Sequence, residues 1–143
     1  MKNGAPPQGY DLPLIIALGK IHATEAVPLL AEVARGTGRS GGDFFAEMRR
    51  HRAVEALGRI GPNATQSVSI LVALLEEQRL GNVGRLYLAD RICRALGEIG
   101  PTAREAIPKL TRIANNESLP KIPATVSHSA AAALAKIQPE IRR

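Results

Sequence analysis

Apolar residues in this chain recur at helical spacing, and the helical pattern itself recurs at a longer, nearly constant period. Ala53, Ala56, Leu57 and Ile60 fall at i, i+3, i+4 and i+7, one face of a helix, and Ile92, Ala95, Leu96 and Ile99 do the same. The phrase around them has four copies: ALGKI at 17–21, ALGRI at 56–60, ALGEI at 95–99 and ALAKI at 133–137. Their leucines, Leu18, Leu57, Leu96 and Leu134, stand 39, 39 and 38 residues apart. Self-similarity at this period marks a chain built of repeated supersecondary units. Each unit reads as two helices. Gly61 and Gly100 sit where the first helix needs a left-handed cap, and Pro62 and Pro101 then forbid its continuation. The second helix carries Val68, Leu71, Leu74 and Leu75 in one unit and Ile107, Leu110, Ile113 and Ala114 in the next. Thr102 and Glu105 have the spacing of a capping box for that helix. Pro28 and Pro108 fall early in second helices, where a missing amide donor is tolerated. The small residue after each repeated leucine (Gly19, Gly58, Gly97, Ala135) sacrifices helix propensity and lets a partner helix approach closely.

Polar connectors separate the units: GTGRSGGD at 36–43, RLGNVGR at 79–85 and NNESLPKIPAT at 115–125. The reading is a flexible tail over 1–10, then one domain over 11–143 with repeats at roughly 11–42, 43–82, 83–120 and 121–143. The last repeat holds only a first helix, so the count is about three and a half units. Repeat stacks expose apolar faces at their ends, which makes end-to-end self-association an expectation as well.

The phrase A-L-G-x-I-G, followed by Pro and then A-[VI]-P-x-L, resembles the bacterial HEAT-like repeats, those of the bilin-lyase (PBS-lyase) type included, over residues from about 11 to 141. Local departures are His22 and Gln138 in place of the capping Gly, Ser69 in place of the second-helix Pro, and Ala135 in place of Gly. The resemblance implies an all-α fold, a right-handed α-solenoid with first helices on the convex side and second helices on the concave side. It implies a binding surface more than a reaction, because the repeated phrase encodes packing.

Composition narrows the class. The chain has 143 residues, 45% hydrophobic and 22% charged, with no Trp, two Phe and two Tyr, so its core is aliphatic. No apolar run approaches the roughly 18 residues of a membrane span. The opening MKNGAPPQGYDLPL lacks the apolar core of a signal peptide, so a cytoplasmic location is expected. A single Cys excludes an internal disulfide framework and a multi-cysteine metal site. The formal charge is +6, with arginines outnumbering lysines fourteen to five and acids interspersed among them. Such a balance suits nucleic acid, an acidic partner, or simple solubility.

Candidate chemistry is sparse. The three histidines precede Ala23, Arg52 and Ser129, so the His-Glu dipeptides by which HEAT-like deoxyhypusine hydroxylases hold iron are missing. Four aromatics give no stacking platform of the kind that HEAT-like DNA glycosylases use. There is no G-x-S-x-G, H-E-x-x-H or Walker motif, and GTGRSGG lacks the Lys-Ser/Thr of a phosphate loop. Cys93 aligns with Val54 and Ala131 and reads as a buried structural thiol. His51, Asp90 and His128 share a repeat position and read as a polar surface row. No cofactor, metal or catalytic residue is expected.

The remaining signal is surface. Aligning second helices on Val27, Val68 and Ile107 sends a set of residues toward the concave groove: Leu29, Glu32 and Gly36, then Ile70, Ala73 and Glu77, then Lys109, Arg112 and Asn116. That groove is apolar in the middle and basic at its C-terminal end, suited to a peptide or amphipathic helix of another protein. Arg52 and Arg91 are expected to tie repeats together through acids such as Glu55 and Asp90. Arg49 and Arg50 read as freer, forming with Arg39 and Arg85 a basic edge for sequence-independent nucleic-acid binding, the alternative function. A weaker alternative is an accessory subunit of a bilin-lyase-like or other modifying enzyme.

Overall fold

The computed structural model describes residues 11–36, 44–77, 83–115, 117 and 124–138; the tail and most of each connector lie outside them. Seven α-helices follow in order within that set: α1 (Asp11–Lys20), α2 (Val27–Arg35), α3 (Phe44–Ile60), α4 (Val68–Glu77), α5 (Val83–Ile99), α6 (Ile107–Ala114) and α7 (Ala124–Ile137). The first helices α1, α3, α5 and α7 lie side by side in chain order. The second helices α2, α4 and α6 form the other layer, each also packed on the first helix that follows it. This is an all-α repeat solenoid, and its core lies between the two layers. Leu57, Leu96, Leu71 and Leu110 are completely enclosed there, with Val54, Ile92, Cys93 and Ile99. The repeated leucine is sealed in the two interior units, whereas Leu18 and Leu134, in the first and last, are only partly covered.

The helix ends follow the anticipated chemistry, with one exception. Gly61 and Gly100 adopt φ of 76° and 83°. A Cβ at Gly100 would meet nothing within 4 Å, so the backbone angle and not space requires glycine there. His22, in the same register, takes φ 54° although it is not glycine. Its amide donates to the Gly19 carbonyl at 3.1 Å, and the next amide, that of Ala23, reaches the Leu18 carbonyl at 3.0 Å. The exception is the capping box. Thr102 and Glu105 lie inside a 3-10 segment, Gly100–Ala106, and α6 starts only at Ile107. Ala106 precedes it without a side-chain cap, and Pro108 at the helix start supplies a preset φ where no donor is needed. The connector expected over 79–85 is also shorter than anticipated, because Val83, Gly84 and Arg85 already belong to α5.

The small residue after the repeated leucine works between units, not within one. A Cβ on Gly19 would lie 2.8 Å from the Cα of Ala56 in the next first helix. On Gly58 it would lie 3.0 Å from the Cα of Ala95, and on Gly97 3.0 Å from that of Ala133. The alanine of one phrase therefore seats against the glycine of the phrase before it, and three such contacts join four helices.

Replacing Gly19 with Ala should destabilise the fold by about 1–3 kcal/mol, because overpacking against a backbone atom outweighs the propensity gain of about 1 kcal/mol. Urea unfolding checks this, and a more stable Gly19→Ala protein would refute the contact. His22→Gly should instead stabilise by about 1 kcal/mol, by releasing left-handed strain on an exposed side chain. Its thermal midpoint should rise accordingly.

Candidate interaction surfaces

The second-helix face carries most of the residues assigned to the groove. Leu29 on α2 is 55% exposed, an open apolar side chain. Glu32 is exposed and pairs with Arg35 at 3.7 Å, one turn further along the same helix. On α4, Ile70 is half-buried against the core and Ala73 is exposed. On α6, Lys109 is half-buried and Arg112 exposed. Glu77 ends α4, but its side chain lies outside the described residues, as does Asn116 altogether. Gly36 offers the groove no side chain. It is the left-handed cap of α2, φ 71°, with its amide on the carbonyls of Glu32 and Val33.

Ile70 and Ala73 come together in a depression of about 300 Å³ between α2 and α4, with Leu74, Ser69 and Arg35 completing its lining. Arg35 and Ser69 were not anticipated. Arg35 was legible in principle, standing three residues after Glu32 on the same helical face. Ser69 is a departure: it replaces the proline of the neighbouring second helices and lines the depression beside Ile70.

The proposed basic edge is partly consumed by structure. Arg50, expected to be free, has only 18% of its side chain exposed. Its Nε donates to the Ala34 carbonyl at 3.1 Å, and its Nη1 lies 3.5 Å from Glu47. A cation on the last carbonyls of α2 meets the negative end of the helix, which explains the commitment. Gly36 makes room for it: a Cβ there would come within 2.9 Å of the Arg50 side chain. Arg49 is half-buried. Arg39 and the Arg85 side chain lie outside the described residues.

Arg91 ties two repeats through an acid as anticipated, whereas Arg52 pairs only within its own helix. Arg52 donates to Glu55 at 2.9 Å within α3, and Arg91 reaches the same carboxylate from α5 at 3.8 Å. Asp90 has different partners, Arg94 at 3.1 Å on its own helix and the Ser129 hydroxyl, which donates to it from α7. Glu98 and Lys136 close another inter-repeat pair at 3.0 Å. These pairs lie on the first-helix face, where exposed members contribute little individually.

Two titratable side chains are displaced by burial. The Cys93 thiol is pushed up to about 12, first by burial and then by the nearby Asp90 carboxylate, so it stays protonated and inert at neutral pH. His51 is held below its ordinary value by burial, with Arg91 adding repulsion. Among the described residues, no three His, Cys, Asp or Glu side chains gather to hold a metal, and no helix is long and apolar enough to cross a membrane.

The fold defines the class first: an α-solenoid of two-helix units joined through their first helices. Comparison with known families then gives the repeat type. The family model of the PBS lyase HEAT-like repeat matches residues 49–77, which run from within α3 to the end of α4. That unit is similar to a HEAT-like repeat, and the phrase it contains recurs in the units on either side. No curated protein and no solved structure gives a significant match.

The histidine yields a pH prediction. Between its lowered folded value and the ordinary 6.5, the unfolded chain binds a proton at His51 that the folded chain does not. Stability should therefore fall as pH drops from neutral through 6.5. His51→Gln should flatten that part of the profile. Urea midpoints from pH 7.5 to 5.5 measure it, and equal slopes for both proteins would refute the assignment.

Proposed function

We propose that this protein is a non-catalytic interaction module, an adaptor or scaffold that takes a peptide or helix of another protein against its second-helix face. One observation carries the reading: the depression of about 300 Å³ floored by Ile70 and Ala73, with Arg35 on its wall. The exposed Leu29 adds apolar surface on α2, and Arg112 adds charge on α6. An apolar centre with basic flanks suits an amphipathic segment whose charged side is acidic. It suits a phosphate backbone less well, since uniform charge along a polyanion calls for Lys or Arg in every unit. HEAT-like repeats are a framework often used for such contacts, which agrees with the reading.

The test is affinity capture from a lysate of the source organism, treated with nuclease and read by mass spectrometry. The wild-type chain should retain a protein partner after nuclease and moderate salt. Ile70→Glu combined with Arg112→Glu should lose that partner while circular dichroism still reports the helical fold, with some loss of melting temperature because Ile70 is half-buried against the core. Retention by the double variant would overturn the groove assignment. Loss of every captured protein on nuclease treatment would favour nucleic acid instead.

A further inference from the structure

The apolar stripe that carries the seating alanine is enclosed on the interior first helices and open on α1. Ala53, Ala56, Leu57 and Ile60 are buried on α3, and Ile92, Ala95, Leu96 and Ile99 are buried on α5. Their counterparts one period before α3 are Leu14, Ala17, Leu18 and Ile21. Leu14 is 54% exposed and Ile21 70%, Ala17 is exposed, and Leu18 is half-buried. The Ile21 amide donates to the Ala17 carbonyl at 3.0 Å, so the helical turn continues to it and the four side chains share one face. Ala17 is thus the one alanine of the four phrases that has no glycine of a preceding helix to seat on.

The other end of the stack is built differently. On α7, His128, Ala131 and Ala132 are exposed, and no large apolar side chain is. Ala135 stands there where the earlier phrases have glycine. At the three internal junctions a Cβ on that residue would come within 2.8–3.0 Å of the next helix's backbone. Ala135 carries that Cβ, so α7 cannot receive the α1 of a second copy at the internal spacing. Charge differs as well. The interior junctions are crossed by Arg91 to Glu55 and by Lys136 to Glu98. Between α3 and α5, a trough of about 520 Å³ over Gly58 and Ala95 has its arginines and carboxylates paired along the walls. The open stripe on α1 contains no ionisable side chain, so nothing in it selects a charged partner.

The stripe complements itself. Its four positions are symmetric about the midpoint between Ala17 and Leu18. Two antiparallel copies crossing at that point set Leu14 of each against Ile21 of the other, and Ala17 of each against Leu18. Large side chains then meet at both ends, and the small alanine leaves room for leucine at the crossing. We propose that this stripe is a homodimer interface, on which a second copy of the chain packs its own α1 about a two-fold axis. Such a pair closes on itself, whereas a head-to-tail stack would grow into a filament. The stripe is short, which places the dimer among the weak, concentration-dependent interfaces. Ile70 and Ala73 on the second-helix face take no part in it.

Sedimentation equilibrium of the full chain between about 5 and about 500 µM tests this. The mass should rise with concentration toward twice the 15.2 kDa of one chain and stop there. Ile21→Glu should keep the helical circular dichroism and weaken the dimer about tenfold or more, because it places an unpaired carboxylate in an apolar contact. Added salt should leave the dimer intact, since the two chains carry like net charge and are screened from one another. For the register, Leu14→Cys and Ile21→Cys chains mixed under mild oxidation should cross-link to each other far more than either does alone. Cys93 is buried and does not compete. A monomer at every concentration would overturn the proposal. So would undiminished dimerisation of Ile21→Glu, dissociation by salt, masses beyond two chains, or cross-linking of Ala17→Cys to Ala135→Cys, the head-to-tail pair.

Discussion

The architecture depends on one contact made three times, a glycine of one first helix received by an alanine of the next. Gly19 meets Ala56, Gly58 meets Ala95, and Gly97 meets Ala133. Glycine inside a helix weakens that helix by roughly 0.5–1 kcal/mol relative to alanine. The fold accepts this cost because interhelical distance is set by the largest atom at the contact. With no Cβ on one side, the first helices come close enough to enclose Leu57 and Leu96 completely. Burial of such side chains contributes about 1.5–3 kcal/mol each, enough to outweigh the lost propensity.

The same contact shapes both surfaces. Because the first helices meet through small residues, the long charged side chains beside them stand apart as walls, and a trough results. The second helices pack less densely on one another and mainly on first helices, which leaves Leu29, Ile70 and Ala73 accessible on the opposite face. Electrostatics then divides the two faces. The trough has dense guanidinium and carboxylate pairs, whereas the depression has an apolar floor with Arg35 on its wall.

Much of the fold was legible because periodicity reports packing directly. A residue recurring every 39 positions on a helical face must be performing the same task each time, and Leu57 and Leu96 are both enclosed. Gly61 and Gly100 announced left-handed caps for a similarly local reason. The capping box failed as a signal because Thr102 and Glu105 have the right spacing but belong to a 3-10 segment, and Pro108 starts the helix instead. Ile70 and Ala73 were legible as neighbours on one face of α4 because residues three apart on a helix point the same way, and both line one depression. Arg50 was misread as free, since its partner is a backbone carbonyl at Ala34, sixteen residues away in another repeat.

The amino-acid sequence by itself determined the all-α repeat architecture, the C-terminal part of each first helix, two glycine caps and the buried, inert character of Cys93. These rest on interactions among residues a few positions apart, or on a period that any reader can count. Only the tertiary structure decided which neighbour each glycine meets, which arginines are spent on carbonyls and carboxylates, and that Tyr87 and Arg94 line one trough with Arg59. Those outcomes depend on how far apart two helices settle and how they are rotated. A one-dimensional pattern holds the face of each helix but not the distance between faces, and that distance is set by the packed core as a whole.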